Sequence, residues 1–166
     1  MQALPVFIIR TRINGGGYNY WDYINAGING LGTLLNDNYQ CYMFINNIAS
    51  SLGSNVGSVM NIIMNNSGNV NPHAGYSPDW GADAWATANM STGEIDLWNV
   101  GSISGYTIQE ISQGLLHELI HIATQSYDIE IAEIFGFQYS QSLTYHENTL
   151  EASSHWDNVL ASSCTF

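Results

Sequence analysis

Apolar residues recur every three or four positions along most of the chain, and this spacing is typical of amphipathic α-helices. It predicts helices over residues 20–35, 39–52, 56–64, 107–124, 129–142 and 147–161. The helix over residues 107–124 has the clearest pattern, because Thr107 and Glu110 form a capping box at its start and a continuous apolar face follows.

Ahead of that helix the pattern changes from helical to alternating. Residues 84–88 and 94–98 flank the turn sequence Ser91-Thr92-Gly93, which predicts a β-hairpin. The second arm, residues 94–98, is either an edge strand beside the following helix or an internal strand of a sheet. Residues 65–83 are rich in Asn, Gly and Pro and predict a loop.

These elements predict the α+β class, mainly helical, with a short β-hairpin or sheet before the helix over residues 107–124. No internal repeat or low-complexity tract divides the chain, so residues 18–166 are expected to form one domain. Residues 1–17, which end in three glycines, are expected to be an extended lead-in.

The composition adds a strong acidic bias. Among 166 residues the net charge is −12, lysine is absent, and the arginines are Arg10 and Arg12. This argues against partners such as nucleic acid and anionic membrane surfaces, which bind basic patches. No apolar stretch is long enough to span a membrane.

Two features concern the compartment in which the protein acts. Cys41 and Cys164 have no metal-site or CxxC spacing, so they form either one disulfide in an oxidising compartment or two buried thiols. The apolar run of residues 4–9 is too short for a signal peptide, and the arginines follow it. Secretion is therefore expected to occur as part of a larger exported protein.

The candidate chemistry lies in the sequence His117-Glu118-Leu119-Ile120-His121, an HExxH motif within the strongest helix. Residues four positions apart share a helical face, so His117 and His121 can bind one metal ion. Glu118 can reach a water molecule beside that ion and act as general base. The motif predicts a catalytic Zn²⁺ site and a zinc-dependent peptidase of the zincin type.

The third protein ligand of such a site is open. A catalytic zinc ion takes three protein ligands and leaves one position for water. Asp128 is the first candidate, but it also stands where an N-cap for the next helix is useful. Tyr127 beside it is a candidate for stabilising an oxyanion, or simply a packed tyrosine. Other zincins use a glutamate on a later helix, and a histidine is a further possibility. The additional candidates are Glu130, Glu133, Glu147, Glu151, His146 and His155.

A resemblance to a known family rests on short marks spread from Cys41 to Cys164. They are Cys41-Tyr42-Met43-Phe44, Gly93-Glu94-Ile95-Asp96-Leu97, the HExxH run, Tyr127-Asp128 before Ile131-Ala132, and Ser154-His155-Trp156 before Leu160 and Cys164. With these marks the chain resembles the metallopeptidase-type C-terminal domains of bacterial RHS/YD-repeat polymorphic toxins. The resemblance implies a zincin-like toxin or effector domain, a protein or peptide substrate and an immunity protein that inhibits it.

Two other functions fit the same motif. In one, the domain is a non-catalytic interaction module whose histidines bind a structural metal or none. Structural zinc usually has four protein ligands, often including cysteine, and neither Cys41 nor Cys164 lies near the motif in sequence. In the other, the protein is a metal-dependent amide hydrolase with a non-protein substrate such as the cell wall. An exposed strand beside the site would favour protein substrates, and a small closed pocket would not.

Overall fold

The computed structural model describes residues 20–82 and 84–165, and these form an α+β fold, as predicted. The lead-in expected over residues 1–17 lies outside this range. The helices are α1 Tyr20–Asp37, α2 Tyr39–Ser51, α3 Val56–Asn66, α4 Ile108–Thr124, α5 Asp128–Ile134 and α6 Tyr145–Ser163. The strands are β1 Val70–Pro72, β2 Ala86–Asn89 and β3 Glu94–Leu97, and a 3-10 helix, Val100–Gly105, joins β3 to α4.

Side-chain caps explain where most helices begin. Asn38 and Asn55 accept hydrogen bonds from backbone N–H groups in the first turns of α2 and α3. Thr107 and Thr144 form capping boxes at the starts of α4 and α6. These caps satisfy donors that have no partner within the helix, and the one at Thr107 confirms the predicted start of α4.

Helix α5 is shorter than the helix predicted over residues 129–142. It ends at Ile134 because Gly136 adopts φ +89°, in the left-handed region. The N–H of Phe137 donates to the carbonyl of Ala132, and that of Gly136 donates to Glu133. This pair of bonds is a Schellman motif, which reverses the chain and stops the helix.

The sheet has the strand order β1-β3-β2. The predicted hairpin is present as β2 and β3, which pair antiparallel, while β1 pairs parallel with β3. The alternative of residues 94–98 as an edge strand is therefore wrong: β3 lies in the centre of the sheet, and β2 lies at an edge that no other strand of the described part of the chain pairs with. The loop predicted over residues 65–83 is also interrupted, since β1 forms within it.

Helix α4 is the central element of the core. It packs against α1, α3, α6 and two strands of the sheet, and its apolar side chains from Ile111 to Ile122 are fully or almost fully buried, whereas Ile108 in its first turn is 48% exposed. It approaches β2 closely because Gly114 has no side chain: a Cβ at this position would lie 2.7 Å from Cη2 of Trp85 and closer still to Cζ2. The ring of Trp85, the residue before β2, thus lies directly on the α4 backbone.

A disulfide joins α2 to the residue after α6. Cys41 and Cys164 form this bond and are both fully buried, so the alternative of two free thiols is excluded. Gln113 of α4 donates to the carbonyl oxygen of Cys164 at 2.6 Å, and Asn38 donates to that of Thr165 at 2.6 Å. The end of α6 is therefore held by covalent and hydrogen bonds. No helix in residues 20–82 and 84–165 has the length and apolar character needed to cross a membrane.

Candidate metal centre

The three motif residues meet at one buried point on α4. His117 is 7% exposed, Glu118 8% and His121 7%. One potential ligand atom from each lies within 4.8 Å of the others, and the Nε2 atoms of the two histidines are 3.0 Å apart. This His-Glu-His cluster could hold a metal ion.

A tight turn after α4 brings a further carboxylate to the histidines. Gln125 adopts the left-handed conformation, φ 55°, which costs a non-glycine residue about 1–3 kcal/mol. Its side-chain amide donates to the carbonyl oxygens of Ile122 at 2.7 Å and Met90 at 3.1 Å, so the turn is tied to α4 and to the hairpin. The chain reverses here and begins α5 with Asp128 beside the cluster.

Asp128 completes a nearly equilateral triangle of donor atoms. Its Oδ1 lies 3.2 Å from Nε2 of His117 and 3.4 Å from Nε2 of His121. Ligand atoms at the corners of a tetrahedron around zinc, each about 2.0–2.1 Å from the ion, are roughly 3.3 Å apart. The three atoms therefore have the spacing of one face of such a tetrahedron. The N-cap position of α5 belongs to Tyr127, so Asp128 is not the cap.

The remaining ring nitrogens of both histidines are engaged away from this point. Nδ1 of His121 lies 2.6 Å from the carbonyl oxygen of Ser126, and Nδ1 of His117 lies 2.6 Å from Oδ1 of Asp157. A carbonyl oxygen can only accept, so Nδ1 of His121 carries the proton. In the neutral ring Nε2 then has a free lone pair directed at the cluster, as in metal-binding histidines.

The charges in the cluster shift three pKa values. Burial lowers the pKa of His117, but the negative charge of Asp157 and hydrogen bonds to Asp128 and Asp157 outweigh it and raise that pKa well above its usual value. Burial raises the pKa of Asp128, but the hydrogen bonds and positive charges that His117 and His121 present to it when both rings are protonated hold the pKa of that carboxyl far below its usual range. The pKa of Glu118 is raised, mainly by burial.

Trp156 of α6 touches all three members of the donor triangle. It is fully buried, and its ring stacks on His117 with centroids 4.0 Å apart. It meets His121 edge-on at 5.6 Å, and its Nε1 donates to Oδ1 of Asp128 at 2.9 Å. The sequence alone predicts no role for Trp156 or Asp157. The only available signal was the Ser154-His155-Trp156 segment of the resemblance.

The other candidate ligands lie elsewhere. Glu130 and Glu147 accept bonds from backbone N–H groups at the starts of α5 and α6, and Glu133 and Glu151 are exposed. The ring of His155 contacts the carbonyl oxygen of Phe135, and that of His146 stacks on Trp80. The group of potential ligands around His117 consists of His117, Glu118 and His121 and includes none of these six residues; Asp128 is outside that group too and joins the site through its contacts with both histidine rings.

A cleft of about 220 Å³ opens onto the cluster. Glu118 and Tyr127 line it, with β2 on one side and α6 on the other. Tyr127 is 58% exposed there. The N–H of Trp98 donates to the carbonyl oxygen of Trp85, so by the alternation of antiparallel pairs the backbone groups of Ala86 and Ala88 point away from β3. An edge of β2 that no strand within residues 20–82 and 84–165 pairs with therefore borders the cleft.

Comparison with known proteins adds no match: no family model, no curated protein and no solved structure is significantly similar to this chain. The resemblance to the toxin domains stays a prediction. The function must therefore be inferred from the residues and geometry of the cluster and cleft.

Proposed function

We propose that the protein is a zinc-dependent peptidase of the zincin type, with His117, His121 and Asp128 as metal ligands and Glu118 as general base. The observation that carries the proposal is the triangle of Nε2, Nε2 and Oδ1 atoms with sides of 3.0, 3.2 and 3.4 Å. Fixed acceptors behind both histidines support it, because they orient the Nε2 lone pairs.

The donor set suits zinc. Two imidazole nitrogens and one carboxylate oxygen are typical of catalytic zinc sites, which keep a fourth position for water. A bound zinc ion lowers the pKa of water to about 7 and polarises the carbonyl that is attacked. Glu118 lines the cleft and is not part of the triangle, which leaves its carboxylate available for proton transfer.

Glu118 moves the proton during hydrolysis. Its carboxylate removes a proton from the attacking water as the water oxygen bonds to the carbonyl carbon. The same proton then passes to the amide nitrogen as the C–N bond breaks, so the products are a carboxylic acid and an amine. Burial raises the pKa of Glu118, which brings it closer to the pH at which a general base works best.

A peptide is the substrate that the cleft favours. The outward backbone groups of Ala86 and Ala88 can pair with an extended chain, which would add to the sheet as a further strand beside Glu118. Such pairing recognises the backbone of any polypeptide and needs no basic residue. A free strand edge supports a protein or peptide substrate over a small non-protein amide.

The disulfide argues against the alternative function as a structural zinc module. Because Cys41 and Cys164 are bonded to each other, neither is available to close a four-ligand structural zinc site. That weakens the proposal of a non-catalytic metal-binding module. The bond also suits a protein that acts in or passes through an oxidising compartment, consistent with export as part of a larger protein. A toxin role and an immunity partner stay predictions.

Metal analysis and peptidase assays of the wild type, Glu118→Gln and Asp128→Ala test the proposal. Glu118→Gln should retain zinc and lose about 10²- to 10⁴-fold of activity on a labelled unfolded protein. Asp128→Ala should weaken zinc binding by more than the roughly 10- to 100-fold typical of losing a supporting residue. Glu133→Gln, on the exposed surface of α5, is the matched control and should change neither property.

Two outcomes contradict the proposal. A folded wild-type protein that binds no zinc removes its basis. Full zinc retention by Asp128→Ala would show that the third ligand is another residue. The role of Glu118 is tested separately, by the activity of Glu118→Gln.

A further inference from the structure

We propose that Trp156 is a positioning residue that sets the orientation of both His117 and Asp128 for metal binding. This inference depends on the proposed function, since it concerns residues named there as ligands. The indole N–H of Trp156 donates to Asp128, while the indole ring holds the plane of His117.

The hydrogen bond to Asp128 is the first part of the argument. The terminal torsion of an aspartate side chain is broad, so a carboxylate needs a partner to fix its plane. Apart from the two histidines, Trp156 is the only hydrogen-bond partner of the Asp128 side chain within the described residues. Once the Nε2 atoms face a metal ion, the indole N–H is the donor that still holds Oδ1.

The stacked ring is the second part. Two adjacent residues of α6 contact the ring of His117 from different directions. The Trp156 ring stacks on its face with centroids 4.0 Å apart, and Oδ1 of Asp157 lies 2.6 Å from its Nδ1. These contacts together fix the plane and the rotation of the imidazole. Glu118 lines the cleft, but Trp156 does not. Trp156 therefore supports the cluster from the side opposite the proposed substrate.

The position of Trp156 is in turn determined by the hydrophobic core. Its ring stacks on Phe44 of α2 at 6.4 Å, and Phe44 stacks on Phe135 at 5.2 Å. A continuous row of stacked aromatic rings therefore connects the hydrophobic core to the cluster. Geometry at the two ligands is coupled to packing between α2 and α6.

Trp156→Phe is the main test, because phenylalanine keeps an aromatic ring and removes the indole N–H. We expect zinc affinity, measured by competition with a chelator, to fall by about 10- to 100-fold, as for other residues that orient ligands. The visible absorption spectrum of the cobalt-substituted protein should also change. Near-UV circular dichroism of the metal-free variant should show a folded protein.

Trp98→Phe is a closely matched control. Trp98 also stacks on a histidine, His73, at 4.2 Å and donates its N–H to Thr87 at 2.9 Å, but it does not touch the metal ligands. The same substitution there should leave zinc affinity and the cobalt spectrum unchanged. If Trp156→Phe fails to fold, isosteric benzothienylalanine at position 156 removes the N–H alone.

A double-mutant cycle identifies the route of the effect. If Trp156 acts through Asp128, then Trp156→Phe in the Asp128→Ala background should cost little additional zinc affinity. Unchanged zinc affinity in Trp156→Phe, or a loss that is fully additive with Asp128→Ala, overturns the proposal. Failure of the proposed function is a different result, since wild-type protein would then bind no zinc.

Discussion

Replacing Gly114 with alanine tests how closely α4 must pack against the strand beside the cleft. The added Cβ would lie 2.7 Å from Cη2 of Trp85, whereas favourable carbon–carbon contacts are about 3.5–4.0 Å. Cζ2 of the same ring would lie closer still, so the indole ring or the helix must move by more than about 1 Å. Because Trp85 precedes β2 directly, this movement also displaces the strand edge.

The size of the effect follows from comparison with Gly32→Ala in α1. Both substitutions gain up to about 1 kcal/mol of helix propensity, but a Cβ at Gly32 meets no atom within 4 Å. The propensity gain cancels between the two variants, so their difference isolates the clash. Overpacking costs about 1–3 kcal/mol, and in a chain of this size each kcal/mol shifts the melting temperature by roughly 2–4 °C.

Urea unfolding and thermal unfolding of the two variants provide the measurement. Gly32→Ala should match or exceed the wild type, and Gly114→Ala should be less stable than Gly32→Ala by about 1–3 kcal/mol. The proposed peptidase activity of Gly114→Ala should fall as well, because the edge of β2 moves. Equal unfolding free energies for the two variants would refute the close contact between α4 and Trp85.

Three further outcomes are expected. Replacing Cys41 and Cys164 with alanine should lower the free energy of unfolding by up to about 5 kcal/mol, the loop-closure value for a separation of 123 residues, and reductant should then affect the wild type only. Bonds from the backbone N–H and hydroxyl of its capping partner lower the pKa of Glu147, so this carboxylate stabilises α6 above about pH 4.5 and loses that effect as the pH falls. The difference in melting temperature between wild type and Glu147→Gln should therefore shrink in acid and persist at neutral pH. Under the proposed pairing of a peptide with β2, Ala88→Pro removes an outward N–H and should raise KM for peptides about 2- to 10-fold with little loss of stability, whereas Thr87→Pro removes a bond to β3 and should destabilise the sheet.

The parts of the fold that local sequence determines could be predicted. Helical periodicity and the capping box at Thr107 placed α4, and the turn at Ser91-Thr92-Gly93 placed the hairpin. The centre of the sheet could not be predicted, because β3 is internal only through its parallel pairing with β1, which lies far away in the chain. The length of α5 was overestimated because its apolar pattern continues past Gly136, where the backbone turns.

The candidate site divides in the same way. His117, Glu118 and His121 could be predicted from the sequence, because they lie at positions i, i+1 and i+4 of one regular helix, where the geometry is known. The place of Asp128 beside the histidines depends on the turn at Gln125. This residue is left-handed, but it is not a glycine, so the sequence does not signal the turn. Trp156 reaches the cluster only through the packing of α6, and no short-range pattern encodes that contact.

The disulfide makes most of this chain a closed ring. Every residue of the cluster lies between Cys41 and Cys164, so a force applied at the two ends of the chain passes through the sulfur atoms and bypasses the cluster. Pulling would extend only the segments outside the ring until a reductant opened it and released roughly 400 Å of additional chain, at about 3.3–3.6 Å per residue. If the protein entered a channel that admits a single extended strand with its N-terminus first, its passage would likewise stop at Cys41. Passage through such a channel would require reduction first, and re-formation of the bond afterwards.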